Sequence, residues 1–362
     1  MILPHCQTWK DDIMDKNFHV FLLDDAEQWD RIVRSFCNYE VYYLSEYTRA
    51  FEIHGDGQPL LFYYDDSYVR GINVVMKRDI SLETHFRGKL AENTYFDITS
   101  PYGYGGWLIE GGAPDMLFQA YSEWCCNHDI VCEFARFHPV LENHKKCWGA
   151  YEVAGLGKTV VMDLSSPQCI WENITSKNRN VIRKAIRNEI KIYNGRYPDI
   201  FEKFRYIYNR TMDQDGAESY YYFEPEFYDS VLKGLEQNVQ IFYAQLPNGE
   251  IIAAAIMLIA NGYMNYHLSG SLREYSSLAA TNLLLYKAAL WGCENGCRTL
   301  YLGGGVGTRE DGLFRFKKSF YKGELRRFYL GKKVFNNGVY QMLVKIRENN
   351  IRNEDYFPLY RG

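Results

Sequence analysis

The chain has 362 residues, 47% hydrophobic and 24% charged, so it can bury a sizeable core and is not intrinsically disordered. A formal charge of −4 excludes a dedicated nucleic-acid coat protein, which would be strongly basic, but leaves a local basic groove open. The aromatic share is high, with 31 Tyr, 21 Phe and 7 Trp; tyrosine, an apolar ring with a polar tip, suits half-buried strands and amphipathic clefts alike.

The opening residues, MILPHCQTWKDD, lack the charged start and apolar run of a signal peptide. The longest uncharged stretch, Ile251 to Leu272, breaks at Asn261-Gly262 and then turns polar, so it does not read as a membrane span. The nine cysteines form no CxxC pair and no Cys–His metal spacing. Reduced thiols, no metal and a soluble cytoplasmic protein are the expectation.

In the first half, Pro59–Tyr64 and Tyr68–Lys77 read as strands around the turn Asp65-Asp66-Ser67. Thr94–Thr99 is a further strand, followed by the glycine-rich loop Tyr102-Gly103-Tyr104-Gly105-Gly106. A helix from about Pro114 to Asn127 and a strand over Ile130–Phe137 complete this half. Arg136-Phe137-His138-Pro139 ends that strand, where a histidine serves most often as a structural hydrogen-bond partner.

The second half repeats this order. Val239–Leu246 is a strand, Pro247-Asn248-Gly249 a turn, and Ile251–Ala260 an apolar run suited to a strand buried on both faces. Asn261-Gly262 is a strong hairpin signal, with Tyr263–Ser269 as the return strand. A helix over Ser277–Asn295 stops at Gly296, and the strand Arg298–Leu302 runs into Gly303-Gly304-Gly305. The chain therefore reads as two tandem copies of one α+β unit. The basic surplus lies in 151–332, while the remainder is net acidic.

Several stretches could carry chemistry. Lys177 to Asn188 is an amphipathic helix with Lys177, Arg179, Arg183, Lys184 and Arg187 around an apolar stripe. It is either a solvated face or a surface for phosphates of a nucleotide sugar, coenzyme A or RNA. Arg315-Phe316-Lys317-Lys318 follows the glycine cluster at 303–307, where backbone can approach a ligand closely. Tyr220-Tyr221-Tyr222-Phe223 cannot all be buried on one face, so at least one hydroxyl should meet a cleft or solvent. No GxSxG, HExxH, Walker or dinucleotide fingerprint occurs.

Lys177-Asn178-Arg179-Asn180, His267-Leu268-Ser269-Gly270-Ser271, and Tyr301-Leu302-Gly303-Gly304-Gly305 leading to Asp311-Gly312-Leu313-Phe314-Arg315-Phe316-Lys317-Lys318 together resemble the Fem family of peptidoglycan bridge-forming aminoacyltransferases. They also resemble its BioF2-like relatives among the GNAT acyltransferases. The resemblance is best over 155–335, and Asp97 to Gly106 extends it into the first half. It implies two tandem GNAT (acyl-CoA N-acyltransferase-like) domains of α+β class, with mixed central sheets flanked by helices. The domains would be 1–150 and 151–332, with 333–362 returning to the first.

The reaction implied is amide formation. A Fem-type enzyme takes the aminoacyl group from aminoacyl-tRNA and passes it to the amine of a cell-wall precursor. The alternative is an acyl-coenzyme A-dependent transfer to an amino sugar or another primary amine. A non-catalytic ligand-binding module is a third reading. No tightly bound cofactor is implied, and no DNA partner.

By the same resemblance, Lys317 supplies a cation to the tetrahedral oxyanion and Phe316 shapes the acyl site. Tyr266 or His267 assists proton movement. Arg179, Arg183, Tyr221, Gly304, Gly305, Tyr102 and Tyr104 are candidates for holding substrates. The chain departs from its relatives in two places. Arg273 to Ala280 lacks the glycine of the usual coenzyme A diphosphate loop, and the segment Thr211 to Asp215 lacks the arginine that relatives often carry near Gln214.

Overall fold

The computed structural model describes residues 16–347, 353 and 355–362. The stretch 1–12, inspected above for a targeting signal, and residues 348–352 and 354 of the terminal segment lie outside the described residues.

The first half contains β1 (Phe18–Phe21), α1 (Ala26–Arg34), α2 (Ser45–His54), β2 (Gln58–Asp65), β3 (Val69–Asp79), β4 (Phe96–Thr99), β5 (Leu108–Gly111), α3 (Asp115–Asn127) and β6 (Ile130–Phe137). Next come β7 (Glu152–Asp163), α4 (Pro167–Asn173), α5 (Ser176–Arg187), β8 (Lys191–Gly195), α6 (Pro198–Asp215), α7 (Pro225–Gly234), β9 (Val239–Gln245), β10 (Ile251–Ala260) and β11 (Tyr263–Ser271). The chain closes with α8 (Ala280–Glu294), β12 (Thr299–Gly303), α9 (Gly312–Lys318), β13 (Arg326–Val334) and α10 (Asn337–Arg347).

The strands form one sheet in the order β1-β2-β3-β4-β6-β13-β7-β12-β11-β10-β9-β8, with β5 paired to β3 off this path. Outward from the β13/β7 seam, both halves repeat one pattern. An antiparallel pair (β13/β6 and β7/β12) is followed by a parallel pair (β6/β4 and β12/β11), then by antiparallel pairs to the edge. The tandem α+β repeat is therefore a fact of the sheet. Strand β13 follows the second unit in sequence yet bonds to β6 of the first as well as to β7.

Most predicted elements appear where the local chemistry puts them. At the β10–β11 turn, Asn261 and Gly262 both have positive φ, 48° and 77°, as a two-residue hairpin of the favoured twist requires. Strand β10 is apolar throughout because both its faces are covered: Ala254, Ile256 and Leu258 enter one core cluster and Ala253, Ala255 and Met257 another. Helix α8 starts three residues later than its apolar pattern suggests, because Arg273–Leu278 winds as a 3₁₀ helix and Ala279 takes a left-handed conformation. Among the described residues, no helix is long and apolar enough to cross a membrane, and no cluster of side chains has the make-up of a metal site.

Among the elements with no counterpart in the sequence reading are β7 and β13 of the seam and helices α6 and α7. The two helices pack with α1 and α2 into one core that runs between the units. There Phe51 of α2 meets Phe227 of α7 edge-on at 5.1 Å, and Phe227 stacks on Phe223 at 4.3 Å. The segment after β13 folds onto the first unit, where Tyr340, Leu343 and Tyr360 pack with Ile80, Phe86 and Val131.

The units also share a buried polar contact. Glu40 is fully buried, and its Oε2 accepts from the Val41 N–H (3.1 Å) and from Asn265 Nδ2 of β11 (3.0 Å). His138 Nδ1 accepts from the Val140 N–H, so its ring proton sits on Nε2, which faces Glu40 Oε1 at 3.5 Å. Burial holds His138 neutral, its pKa pushed down to about 3. Burial also raises the Glu40 carboxyl to about 8, against the smaller opposing effects of Val41, Asn265 and Arg298.

The folded protein thus keeps a proton on Glu40 that the unfolded chain releases between pH 4.5 and about 8. Stability from this group is full at low pH and falls as pH rises through that window. Glu40→Gln keeps the shape of the contact and removes the titration. Thermal unfolding of both proteins from about pH 5 to about pH 8 should show the variant gaining on the wild type with rising pH; parallel curves would contradict a protonated Glu40.

Candidate active site

Strands β11 and β12 run parallel for only three residue pairs, Tyr263↔Thr299, Met264↔Leu300 and Asn265↔Tyr301. Beyond them β11 stays with β10 as far as Ser271, while Gly303 of β12 pairs with Val160 of β7. The two strands part, and a cavity of about 410 Å³ opens beside the gap. Tyr266, Ser269 and Gly270 of β11 line it, with Ala280 and Asn282 from the start of α8, Thr211 and Asp215 from the end of α6, and Leu313 and Phe316 from α9.

Lys317 sits beside the end of β12. Its Nζ donates to the Gly304 carbonyl at 2.8 Å, and desolvation pushes its pKa down to about 8. The loop before α9 is braced by Asp311, whose carboxylate accepts from the Phe314 N–H (2.8 Å) and the Val306 N–H (3.0 Å). These bonds hold the Asp311 carboxyl below its usual range. Gly305 lies so close to the Arg309 carbonyl and the Asp311 carboxylate that a Cβ would have no room. The glycine cluster is thus a close approach of backbone to backbone that sets the Lys317 anchor.

The start of α8 has no side-chain cap, so its first N–H groups and the helix dipole face the cavity mouth and favour an anion there. Asn282 on that first turn donates to Asn178 of α5 at 2.8 Å, which brings the start of α5 beside the start of α8. Thr175 caps α5 through the Asn178 N–H, and its own N–H bonds to the Ser319 carbonyl after α9. The ledge formed by α5 and α9 carries Lys177, Arg179, Arg183, Arg315 and Lys318, with Lys322 just after it; none of these residues lines the cavity itself. Sequence reasoning gave no separate role to Asn178, Asn282 or Asp311. An asparagine near the start of an amphipathic helix carries no local sign of contact with a helix so far along the chain.

The sequence-predicted residues divide among three places. Phe316 and Tyr266 line the cavity beside the Lys317–Gly304 bond. Arg179 and Arg183 lie on the ledge, their guanidinium groups over the Trp171 ring at 5.9 and 5.2 Å. Tyr102 and Tyr221 line a different cavity, of about 590 Å³, between the units. Tyr104 is in neither; its hydroxyl bonds to that of Tyr301 at 2.5 Å in the packing between the units.

His267 turns away from Tyr266, because consecutive strand residues point to opposite faces. It packs edge-on against Tyr47 and Tyr102 at 5.9 and 5.7 Å. Desolvation pushes its pKa down to about 3, so it stays neutral, on the face of β11 away from Tyr266 and its cavity.

In the first unit the chain after β4 rejoins β6, where Gly105 bridges to Phe137. Asn143 Nδ2 donates to the carbonyls of Gly105 (2.9 Å) and Trp107 (3.2 Å) before β5, while its Oδ1 accepts from the His138 N–H (2.9 Å) at the end of β6. Below it the Trp107 indole donates to Tyr151 Oη, and Tyr151 and Tyr121 both donate to Glu133. Trp107, Tyr121 and Glu133 are fully buried. Each parallel pair therefore ends at a cavity of its own: β11 of the second unit lines the cleft beside β12, while Thr99, Phe134 and Arg136 of β4 and β6 line the cavity between the units.

Residues 176–318 match the family model described as an acetyltransferase (GNAT) domain. No curated protein sequence matches the chain. Among solved structures, FemX is similar over 88% of this chain and 98% of its own, with 12% identity and a TM-score of 0.64. L-PGS from Bacillus licheniformis is similar over 93% of this chain and 98% of its own, with 15% identity and a TM-score of 0.56. The C-terminal domain of a putative lysylphosphatidylglycerol synthetase from Agrobacterium fabrum is similar over 90% of this chain and 95% of its own, at 14% identity and a TM-score of 0.54. The chain has the fold of these proteins, and its second unit carries a GNAT acyltransferase domain.

Asn143 is buried and ties together three backbone groups. Asn143→Ala should lower stability by about 2–4 kcal/mol, since each orphaned buried polar group costs roughly 1–3 kcal/mol. Urea unfolding would measure it, and a loss below about 0.5 kcal/mol would mean the chain after β4 is held on β6 by other contacts.

Proposed function

We propose that the acyltransferase domain forms amides at the cleft between β11 and β12, passing an aminoacyl group from aminoacyl-tRNA to a primary amine of a cell-envelope precursor. The observation that carries this reading is Lys317 held on the Gly304 carbonyl at the point where the two strands part. The acceptor amine attacks the ester carbonyl carbon; the C–N bond forms, the C–O bond breaks, and the tRNA hydroxyl leaves with a proton. The Lys317 ammonium lies where it can offset the oxyanion between these events, and Phe316 and Tyr266 supply the wall for the acyl group.

The basic ledge beside the cavity supports a polyanionic donor, since clustered Lys and Arg gain affinity by releasing phosphate counterions. The similarity to FemX and to a putative lysylphosphatidylglycerol synthetase supports the aminoacyl chemistry at the level of fold. A lipid hydroxyl would give an ester and a peptide amine an amide; we favour the amine of a cell-wall precursor on the Fem-like motifs. An acyl-coenzyme A donor is the second reading. The uncapped start of α8 favours it, and the missing glycine in Arg273–Ala280 weighs against it.

Two measurements test this. Thermal shift with aminoacyl-tRNA and with acetyl-coenzyme A separates the donors, and stabilisation by coenzyme A alone would overturn the tRNA route. With the donor in hand, Lys317→Ala should lose about 10²–10³ in kcat with little change in KM, while the Gly304 carbonyl it leaves unpaired lowers Tm. Because Lys317 titrates at about 8, the wild-type rate should fall as pH rises through that value and the ammonium is lost. Lys317→Arg, charged throughout, should lack this falling limb; an unchanged limb would remove Lys317 from the rate.

A further inference from the structure

Among the described residues that line the cleft beside β12, only Asp215, at the end of α6, carries a formal charge. The rest of the lining is apolar or neutral, with hydroxyls from Ser269, Ser271, Ser276 and Thr281. The lysines and arginines of the ledge all stand outside it. Among the described residues, no basic side chain pairs with Asp215 and no donor bonds to it.

The place of this carboxylate is set by how α6 meets β11. Gly270 lets the helix lie directly on the strand, since a Cβ there would fall 2.8 Å from both the Ile207 carbonyl oxygen and the Tyr208 Cα. The next residue is stapled: Thr211 Oγ1 accepts from the Ser271 N–H at 3.0 Å and donates to the Ile207 carbonyl at 2.9 Å. Asp215 follows Thr211 by four residues, so the two share a helix face. The staple that fixes the strand end thus brings the carboxylate to the cavity wall. Helix α6, 18 residues long, stops there at Gly216, and the partial negative charge of a helix C-terminus adds to that of the carboxylate.

From this we infer that Asp215 is a specificity-determining residue: it selects an acyl group that carries an ammonium, by an ion pair inside the cleft. The inference rests on the reading that an acyl group is transferred here, and it adds what kind of acyl group fits. An aminoacyl ester bears an ammonium beside its carbonyl carbon, and some bear another on the side chain. An acetyl group bears none. The two signs of charge are therefore sorted in space. Cations outside the cavity suit the phosphates of a donor, and one carboxylate inside suits the cationic end that is passed on.

Calorimetric titration of the full chain with uncleavable mimics of an aminoacylated terminal nucleoside tests this. The first pair is 3′-alanylamino-3′-deoxyadenosine against its 3′-propionylamino counterpart, which lacks only the α-ammonium. The second is the lysyl against the norleucyl amide of the same nucleoside, which differ in the side-chain ammonium. In at least one pair the richer cation should bind about tenfold more tightly to the wild type. Asp215→Asn, a change at an exposed side chain, should cut that preference to about twofold or less and leave the propionyl probe unaffected. Asp213→Asn, two residues earlier on the same helix, should keep the preference. The pair that responds says which ammonium is read. If no probe binds, if neither pair differs, or if the preference survives in Asp215→Asn, the inference is wrong. Probes that bind without preference overturn it and leave the amide-forming reading standing, whereas that reading falls on the donor measurements with aminoacyl-tRNA and acetyl-coenzyme A.

Discussion

The seam between β7 and β13 is the constraint on which the rest of the structure depends. The two strands pair antiparallel from Arg326↔Thr159 to Lys332↔Glu152. Each also completes the sheet of one unit, β13 through β6 and β7 through β12. Backbone hydrogen bonds therefore run unbroken from one edge strand to the other. The same seam positions the candidate active site. Val160 of β7 receives Gly303, and Lys158 pairs with Glu310 at 2.9 Å, so the loop that places Lys317 rests on the strand that joins the units.

Local signals made the repeat legible and left the seam hidden. Asn261-Gly262, the unbroken apolar run of β10, and the helix ending at Gly296 each report on their own neighbours, so they survive being read without a structure. Strand β7 begins Glu152-Val153-Ala154-Gly155-Leu156-Gly157, which has no steady alternation. Its partner β13 lies far along the chain, and no local pattern records a pairing at that distance. The candidate site was legible to a similar depth. Lys317 and Phe316 come to the cleft because a short helix after a glycine loop fixes them, whereas His267 and Tyr266 were inseparable until the faces of β11 were known. A register shift beside Ile256/Met257 adds to that ambiguity, since one extra residue changes which side chains share a face.

The tyrosine excess has two explanations, and position decides between them. Tyr43, Tyr47, Tyr208 and Tyr228 are buried between the units or on their helices, and Tyr121 and Tyr151 fill the first unit. These rings are core, and where their hydroxyls bond they are directed at the Gly106 and Tyr102 carbonyls or at Glu133. Tyr102, Tyr220 and Tyr221 line the cavity between the units instead. A ring with a polar tip can cross from core to cavity without leaving a bare apolar edge, which a phenylalanine surface of equal size would leave. The composition thus reports mainly on an interface between two similar units, and only in part on a ligand.

The two units meet one backbone need with different side chains. A parallel pair that parts leaves backbone groups with no ladder partner, and inside a protein those groups must be satisfied some other way. The first unit satisfies them with Asn143 and buries Trp107 below. The second satisfies the Gly304 carbonyl with the ammonium of Lys317, a titratable group next in sequence to Phe316 of the cavity wall. An amide donor such as Asn143 meets the need without charge. A lysine meets the same need with a partly desolvated, titratable charge. Duplication of the unit therefore lets one backbone need be met in two ways, by a neutral amide in the first copy and by a partly desolvated lysine in the second.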